Sequence, residues 1–179
     1  FKKFDSLVAN KKFLNSLIVN VSNILELIKR KKFNSVILNY DETADNFLKW
    51  YQQLAAESLG KKGKGILPMI SNMPKDNHSL MQLYLDGNKN NFYTFFYTKD
   101  RNYPKLNHNM IPGSLKFLKR KDLGDILYSK ILATKKVFQK KKIPFRSFFM
   151  KSKNEEVLGE LFTYFILETI LLARALKIN

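Results

Sequence analysis

The sequence predicts an α/β fold in which a mostly parallel sheet is covered by helices on both faces, a three-layer sandwich. Two observations carry this expectation. Apolar residues at helical spacing alternate along the chain with short β-branched or aromatic runs, and the stretches between successive runs are long enough for the crossovers that parallel neighbours require. At 179 residues and 45% apolar content, the chain suits one compact domain and has little room for a second.

The elements follow in order. Leu14, Leu17, Ile18, Val21, Ile24, Leu25 and Ile28 recur at helical spacing, and the basic run Lys29 to Lys32 suits a helix end, so a first helix reaches about residue 31. Ser35 to Leu38, bounded by Asn34 and Asn39, reads as a buried strand. Asp41, Glu42 and Thr43 offer capping oxygens to a helix over 43–58 with Phe47, Trp50, Tyr51 and Leu54 on one face and Gly60 as its stop. A second strand is predicted at Ile66 to Ile70, a brief helix from Asn77 to Leu85 closed by Gly87-Asn88, and an aromatic strand from Phe92 to Thr98. Asn102 to Arg120, with Pro104, Pro112 and Gly113, reads as a surface excursion.

Beyond it, Leu123, Ile126, Leu127, Ile131, Thr134, Val137 and Phe138 describe another amphipathic helix, capped by Asp122 and ending at Lys140 to Lys142. Ile143 to Met150 is the last predicted strand. Ser152 and Glu155 match the S-x-x-E capping box and are predicted to open the final helix. That helix, Val157 to Leu176, has about the length of a membrane span, but Glu160, Glu168 and Arg174 interrupt it, which favours a buried helix.

Composition narrows the function. The chain has no cysteine, which excludes disulfides and thiolate metal sites, and its two histidines, His78 and His108, do not make a histidine-rich metal centre. Absence of cysteine fits a reducing cytoplasm, and the first ten residues lack the pattern of a secretory signal. The formal charge of +17 raises nucleic-acid binding, but the lysines are scattered over element ends and loops. Solvated surface, with some attraction for an anionic small substrate, is the preferred reading. The segment GKKGKG at 60–65 lacks the spacing of a Walker loop and follows a helix where that loop would precede one.

Extending the stripe at 47, 50, 51 and 54 reaches Glu57 and Ser58, which predicts a carboxylate on the inward edge of the helix with Gln53 one turn before it. Two readings stand. Glu57 pairs with Lys61 and trims the helix end, or it is a partly desolvated general base whose pKa burial raises, with Gln53 holding a substrate hydroxyl or water. His78, in DNHSLMQLYLDG with Gln82 one turn on, is either a capping or surface histidine or an acid and base for a sugar oxygen.

The strings QQLAAESLGKKGKG and DNHSLMQLYLDG, in that order, resemble the glucose-6-phosphate isomerase family in its bacterial form. The strand before YDETADNFLKWYQQL and the late LGELFTYFILETILLARALKIN are similar to that family's second half. The resemblance implies a sugar isomerase (SIS) fold, flavodoxin-like, over residues 1–150, with a helical C-terminal appendage over 151–179. It implies that Glu57 shuttles a proton between C1 and C2 of the open-chain sugar through a cis-enediol, that His78 opens the ring, and that Gln53 contacts substrate. The substrate would be glucose 6-phosphate or fructose 6-phosphate, in glycolysis and gluconeogenesis, with no metal, nucleotide or redox cofactor. A cytoplasmic homodimer is implied, its histidine reaching in from the neighbouring chain, with no nucleic acid or membrane as partner.

The family's first SIS domain, with its phosphate-binding serines and threonines, and a lysine after a Pro-Phe-Asp-Gln-Pro-like string have no counterpart here. The expectation is therefore a partial sequence, inactive alone. A phosphosugar-binding SIS regulator is the alternative within the same fold.

Overall fold

The computed structural model describes residues 2–98, 103, 106–107, 111–119 and 121–178. Four strands, β1 (Asn34–Asn39), β2 (Leu67–Asn72), β3 (Asn91–Thr98) and β4 (Phe145–Met150), form one all-parallel sheet in the order β2-β1-β3-β4. The helices are α1 (Lys2–Ala9), α2 (Lys11–Lys29), α3 (Asp45–Leu59), α4 (Asp76–Ser79), α5 (Met81–Asp86), α6 (Leu123–Lys140) and α7 (Glu155–Ala175). The chain moves from β1 outward to β2, then steps back over β1 to β3 and β4. Because such crossovers are right-handed, this reversal sends α3 to one face and α4, α5 and α6 to the other.

Each face has its own core. Ile37, Phe92 and Phe96 point towards α2, α3 and α7, where they meet Leu17, Leu48, Tyr51, Phe165 and Leu172. The alternate residues Val36, Leu38, Tyr93, Phe95 and Tyr97 point the other way, towards Tyr84, Ile131 and Phe138. Strand periodicity of two is what divides the aromatic run of β3 between the two layers. The central strands β1 and β3 are buried almost throughout, while the edge strands β2 and β4 mix buried, half-buried and exposed positions.

The three-layer expectation holds, and most helix ends are where the capping chemistry puts them. Asp41 accepts from Thr43 N and Asp122 from Asp125 N, and Gly60 and Gly87 end α3 and α5. Three expectations are corrected. The S-x-x-E reading at Ser152 fails, because Asn154 is the cap of α7 and accepts from Val157 N. The single helix predicted over 77–85 is two short ones, broken at Leu80 (φ −118°, ψ −15°). A separate helix, α1, precedes the first predicted one, because the Asn10 side chain caps a new start by accepting from Lys12 N and Phe13 N.

Of the expected excursion over 102–120, residues 102, 104–105, 108–110 and 120 lie outside the described residues, His108 among them. A 3₁₀ segment, Gly113–Leu118, occupies part of the remainder. α7 lies on α2 and α3 and contributes Leu161, Tyr164, Phe165 and Leu172 to the core. Among the described residues, no helix is long and apolar enough to cross a membrane.

Candidate active site

α3 descends from the carboxyl edge of the sheet to its amino edge. Its buried line is Phe47, Leu48, Tyr51, Ala55 and Leu59. Glu57 is two residues from both Ala55 and Leu59, about 200° round the helix from each, so it is exposed rather than inward-facing. The phase read from Phe47, Trp50, Tyr51 and Leu54 overweighted large residues, whereas Leu48, Ala55 and Leu59 set the packing line against β2 and α7. The chain therefore leaves Glu57 exposed, where the helix phase predicted an inward edge.

Its company is as expected. Gln53 Nε2 donates to Glu57 Oε1 over 2.9 Å, both side chains being exposed. Lys61 forms no ion pair with Glu57 among the described residues. The helix ends immediately after. A Cβ on Gly60 would sit 2.6 Å from Ala56 O, and Gly65, at φ +106°, lets the chain turn within contact of Leu59 O on its way into β2.

His78 is exposed on α4, just past the carboxyl end of β2. Asp76 builds this turn: its Oδ2 accepts from Ser71 Oγ and Asn72 N, both at 2.8 Å, and its Oδ1 accepts from Ser79 Oγ at 3.2 Å. Gln82 is occupied with Asp86, to whose Oδ2 it donates over 3.3 Å. Since β2 is six residues long, about 17 Å of strand separates its ends. Glu57 lies by the amino end and His78 by the carboxyl end, so the structure brings Gln53 and Glu57 together and leaves His78 at the opposite edge.

Two polar clusters escaped the sequence reading. The first lies at the carboxyl edge, where Asp41 is 4% exposed and accepts from Thr43 Oγ1 (2.7 Å), from Thr98 Oγ1 and from Lys153 Nζ (3.0 Å). Burial pushes the Asp41 carboxyl up, but these hydrogen bonds and the Lys153 charge outweigh it and hold the group below the ordinary carboxylate range. Beside it a cleft of about 520 Å³ opens between α3 and α7, lined by Phe47, Trp50, Leu161 and Phe162. It occupies the switch point of the sheet, where the order reverses next to β1.

A depressed carboxyl stabilises the fold above its ordinary value of 3.8, and that contribution disappears as pH falls further. Asp41→Asn is therefore expected to cost about 1–2 kcal/mol near neutrality, with the gap to the parent chain closing below about pH 4. Urea midpoints of both proteins at neutral and acid pH measure it. A gap that stays constant with pH would refute the hold of Thr43, Thr98 and Lys153 on the Asp41 carboxylate.

The second cluster centres on Glu168, which is fully buried on α7 and paired with Arg146 of β4. Its only trace in the sequence is an acid within an apolar run. Among the described residues, no group of three or more His, Asp and Glu side chains is placed to hold a metal ion.

No family model matches the chain. Over 71 residues it is 51% identical to the glucose-6-phosphate isomerase of Methanocaldococcus jannaschii, which covers 40% of this chain and 18% of that protein. Over 189 residues it is 30% identical to the glucose-6-phosphate isomerase of Mycoplasmopsis pulmonis, covering 98% of this chain and 44% of that one. The chain thus spans less than half the length of either relative. A solved structure of a hypothetical protein from Thermus thermophilus has a TM-score of 0.74 at 21% identity, over 85% of this chain and 38% of the other, a likeness of fold.

Proposed function

This chain belongs to the glucose-6-phosphate isomerase family, and on that premise we propose that it carries the proton-transferring half of an aldose–ketose isomerase acting on glucose 6-phosphate and fructose 6-phosphate. Glu57 takes the C2 proton of the open-chain aldose. The electron pair of the broken C–H bond becomes the C1–C2 double bond of a cis-enediol, and the carbonyl oxygen on C1 gains a proton. Returning the proton to C1 while the C2 hydroxyl loses its own gives the ketose, with no net oxidation. Gln53 steers the Glu57 carboxylate through its hydrogen bond and contacts the substrate. His78 serves the ring oxygen and the C1 hydroxyl during ring opening.

The observation that carries this reading is the Gln53–Glu57 pair, an amide and a carboxylate held together on an exposed helix face with no lysine neutralising the acid among the described residues. Water leaves such a site only when something closes over it. The separation of Glu57 and His78 by the height of the sheet supports a homodimer in which each site takes its glutamate from one chain and its histidine from the other. Groups that grip the phosphate, and a further lysine, would come from parts of the isomerase that this chain does not span. By itself the chain is expected not to turn over.

Complementation between chains tests the shared site. In a complete isomerase carrying this segment, Glu57→Gln and His78→Gln are each expected to be nearly inactive. Co-refolded, they form hybrid dimers with one intact site each, restoring about a quarter of parent activity. No recovery despite demonstrated hybrids would show that each chain supplies both groups to its own site.

A further inference from the structure

The topology that separates Glu57 from His78 also sorts the charges. α2, α3, α6 and α7 all run down to the amino edge of the sheet, and each ends in lysine: Lys29 to Lys32, Lys61 to Lys64, Lys140 to Lys142 and Lys177. Lys31, Lys62, Lys142 and Lys177 occupy left-handed positions, at φ 60°, 57°, 54° and 54°, where each helix stops. Contacts join the end of α3 to that of α7, and the ends of α2 and α6 to the turn after α5. Lys32 Nζ donates to Lys89 O, Lys64 Nζ to Leu176 O over 2.8 Å, and Lys141 pairs with Asp86. What looks scattered along the sequence is gathered in space.

One cation per helix C-terminus is accounted for by the helix dipole. Runs of three or four on neighbouring termini are not, because like charges crowded on one edge repel and weaken the fold. Few carboxylates offset them. Glu26 is engaged by Lys29 and Arg30, and Asp86 by Lys141, while Lys61 and Lys62 are exposed and form no ion pair among the described residues. Glu57 lies one helical turn before Lys61 and forms no ion pair among the described residues.

We propose that this edge, centred on the turn Lys61 to Lys64, is an anion-collecting surface that draws in the phosphate-bearing end of a sugar phosphate and concentrates it beside Glu57. The proposal rests on the isomerase reading for the identity of the anion. Its physical content is separate: a dianion is attracted by a patch of unneutralised lysines, and the attraction weakens as salt screens it. A neutral sugar of the same shape gains nothing from it.

Backbone amide shifts of the ¹⁵N-labelled chain, titrated with glucose 6-phosphate and with glucose, test it. The phosphate ester is expected to move the amides of 60–65 most and those of 29–32 and 140–142 less, whereas glucose moves none of them. Raising salt from about 20 to about 200 mM is expected to weaken binding about threefold or more. The double variant Lys61→Glu with Lys62→Glu is expected to weaken it about fivefold or more at low salt. Equal shifts with both sugars, shifts centred instead on Lys116 to Lys121, or indifference to salt and charge reversal would overturn the proposal. Preferential binding of a duplex DNA that displaces the sugar phosphate at physiological salt would overturn it in favour of a nucleic-acid surface. Glu57→Gln, which removes a negative charge, is expected to keep the shifts at 60–65. Failure of the isomerase reading, seen as retained turnover in that variant of the complete enzyme, is thus distinguishable from failure of the surface.

Discussion

Glu168→Ala is expected to cost about 3–5 kcal/mol of folding stability, the range for removing one partner of a buried ion pair. The Glu168 side chain is 0% exposed and that of Arg146 15%. Glu168 Oε1 accepts from Tyr51 Oη (2.8 Å) and Arg146 Nη2 (3.3 Å), and Oε2 accepts from Asn20 Nδ2 and Arg146 Nη1. Arg146 also donates through Nε to Thr94 Oγ1 at 2.9 Å and through Nη1 to Asn20 Oδ1 at 3.0 Å. One carboxylate therefore ties α2, α3 and α7 to β4, and through the arginine to β3.

Truncating the acid leaves the guanidinium in the core, with its carbon 5.1 Å from the ring centre of Phe148 and 6.0 Å from that of Phe165. Burial alone would push the arginine's pKa down, and the charge and hydrogen bonds of Glu168, with a further contribution from Tyr51, raise it instead, so removing the acid leaves a charged guanidinium without its counter-charge. Burial, together with the same acid, pushes the Tyr51 hydroxyl far up, keeping it a donor. Arg146→Met combined with Glu168→Leu is expected to recover most of the loss, since a packed apolar pair replaces two desolvated charges. Urea unfolding measures both variants. A cost below about 1 kcal/mol for Glu168→Ala would mean that water reaches the pair.

Glu57→Gln is expected to lower isomerisation by about 10²- to 10⁴-fold in a complete isomerase carrying this segment, the usual contribution of a general base. The amide keeps the shape and can still hydrogen-bond to Gln53 but cannot accept a carbon-bound proton. The loss should fall on kcat more than on KM, and exchange of the C2 hydrogen with solvent should stop with it. Because Glu57 is exposed and, among the described residues, unpaired with lysine, stability should change by less than about 0.5 kcal/mol. Ring opening, assigned to His78, should persist. Undiminished solvent exchange would remove Glu57 from the reaction.

The fold was legible because its strands are chemically loud and its helices punctuated. β1 and β3 are short β-branched or aromatic runs, and Asp41, Asp122, Gly60 and Gly87 mark helix ends by the bonds they make or the backbone they permit. Legibility failed where tertiary contacts choose between local options. Asn154 rather than Ser152 caps α7, and the intervening Lys153 reaches across to Asp41 and Thr43. The face of α3 was misjudged because its packing line runs through small Ala55, which a search for bulky residues passes over. That Gln53 and Glu57 meet could be read from their spacing of four on a helix, while the roles proposed for them rest on local strings. Glu168 was visible only as an interruption, because Arg146 is 22 residues away and Tyr51 is 117, distances across which spacing carries no signal.

The junction of α3 with α7 has a practical consequence. Trp50 is the chain's single tryptophan, and its ring lies 4.3 Å from that of Phe162 and 5.7 Å from that of Phe47, between centroids. Its indole is half-buried by that contact. Any event that lifts the last helix away bares the ring to water and changes its emission, so the chain carries an optical gauge of whether α7 is docked that needs neither dye nor label.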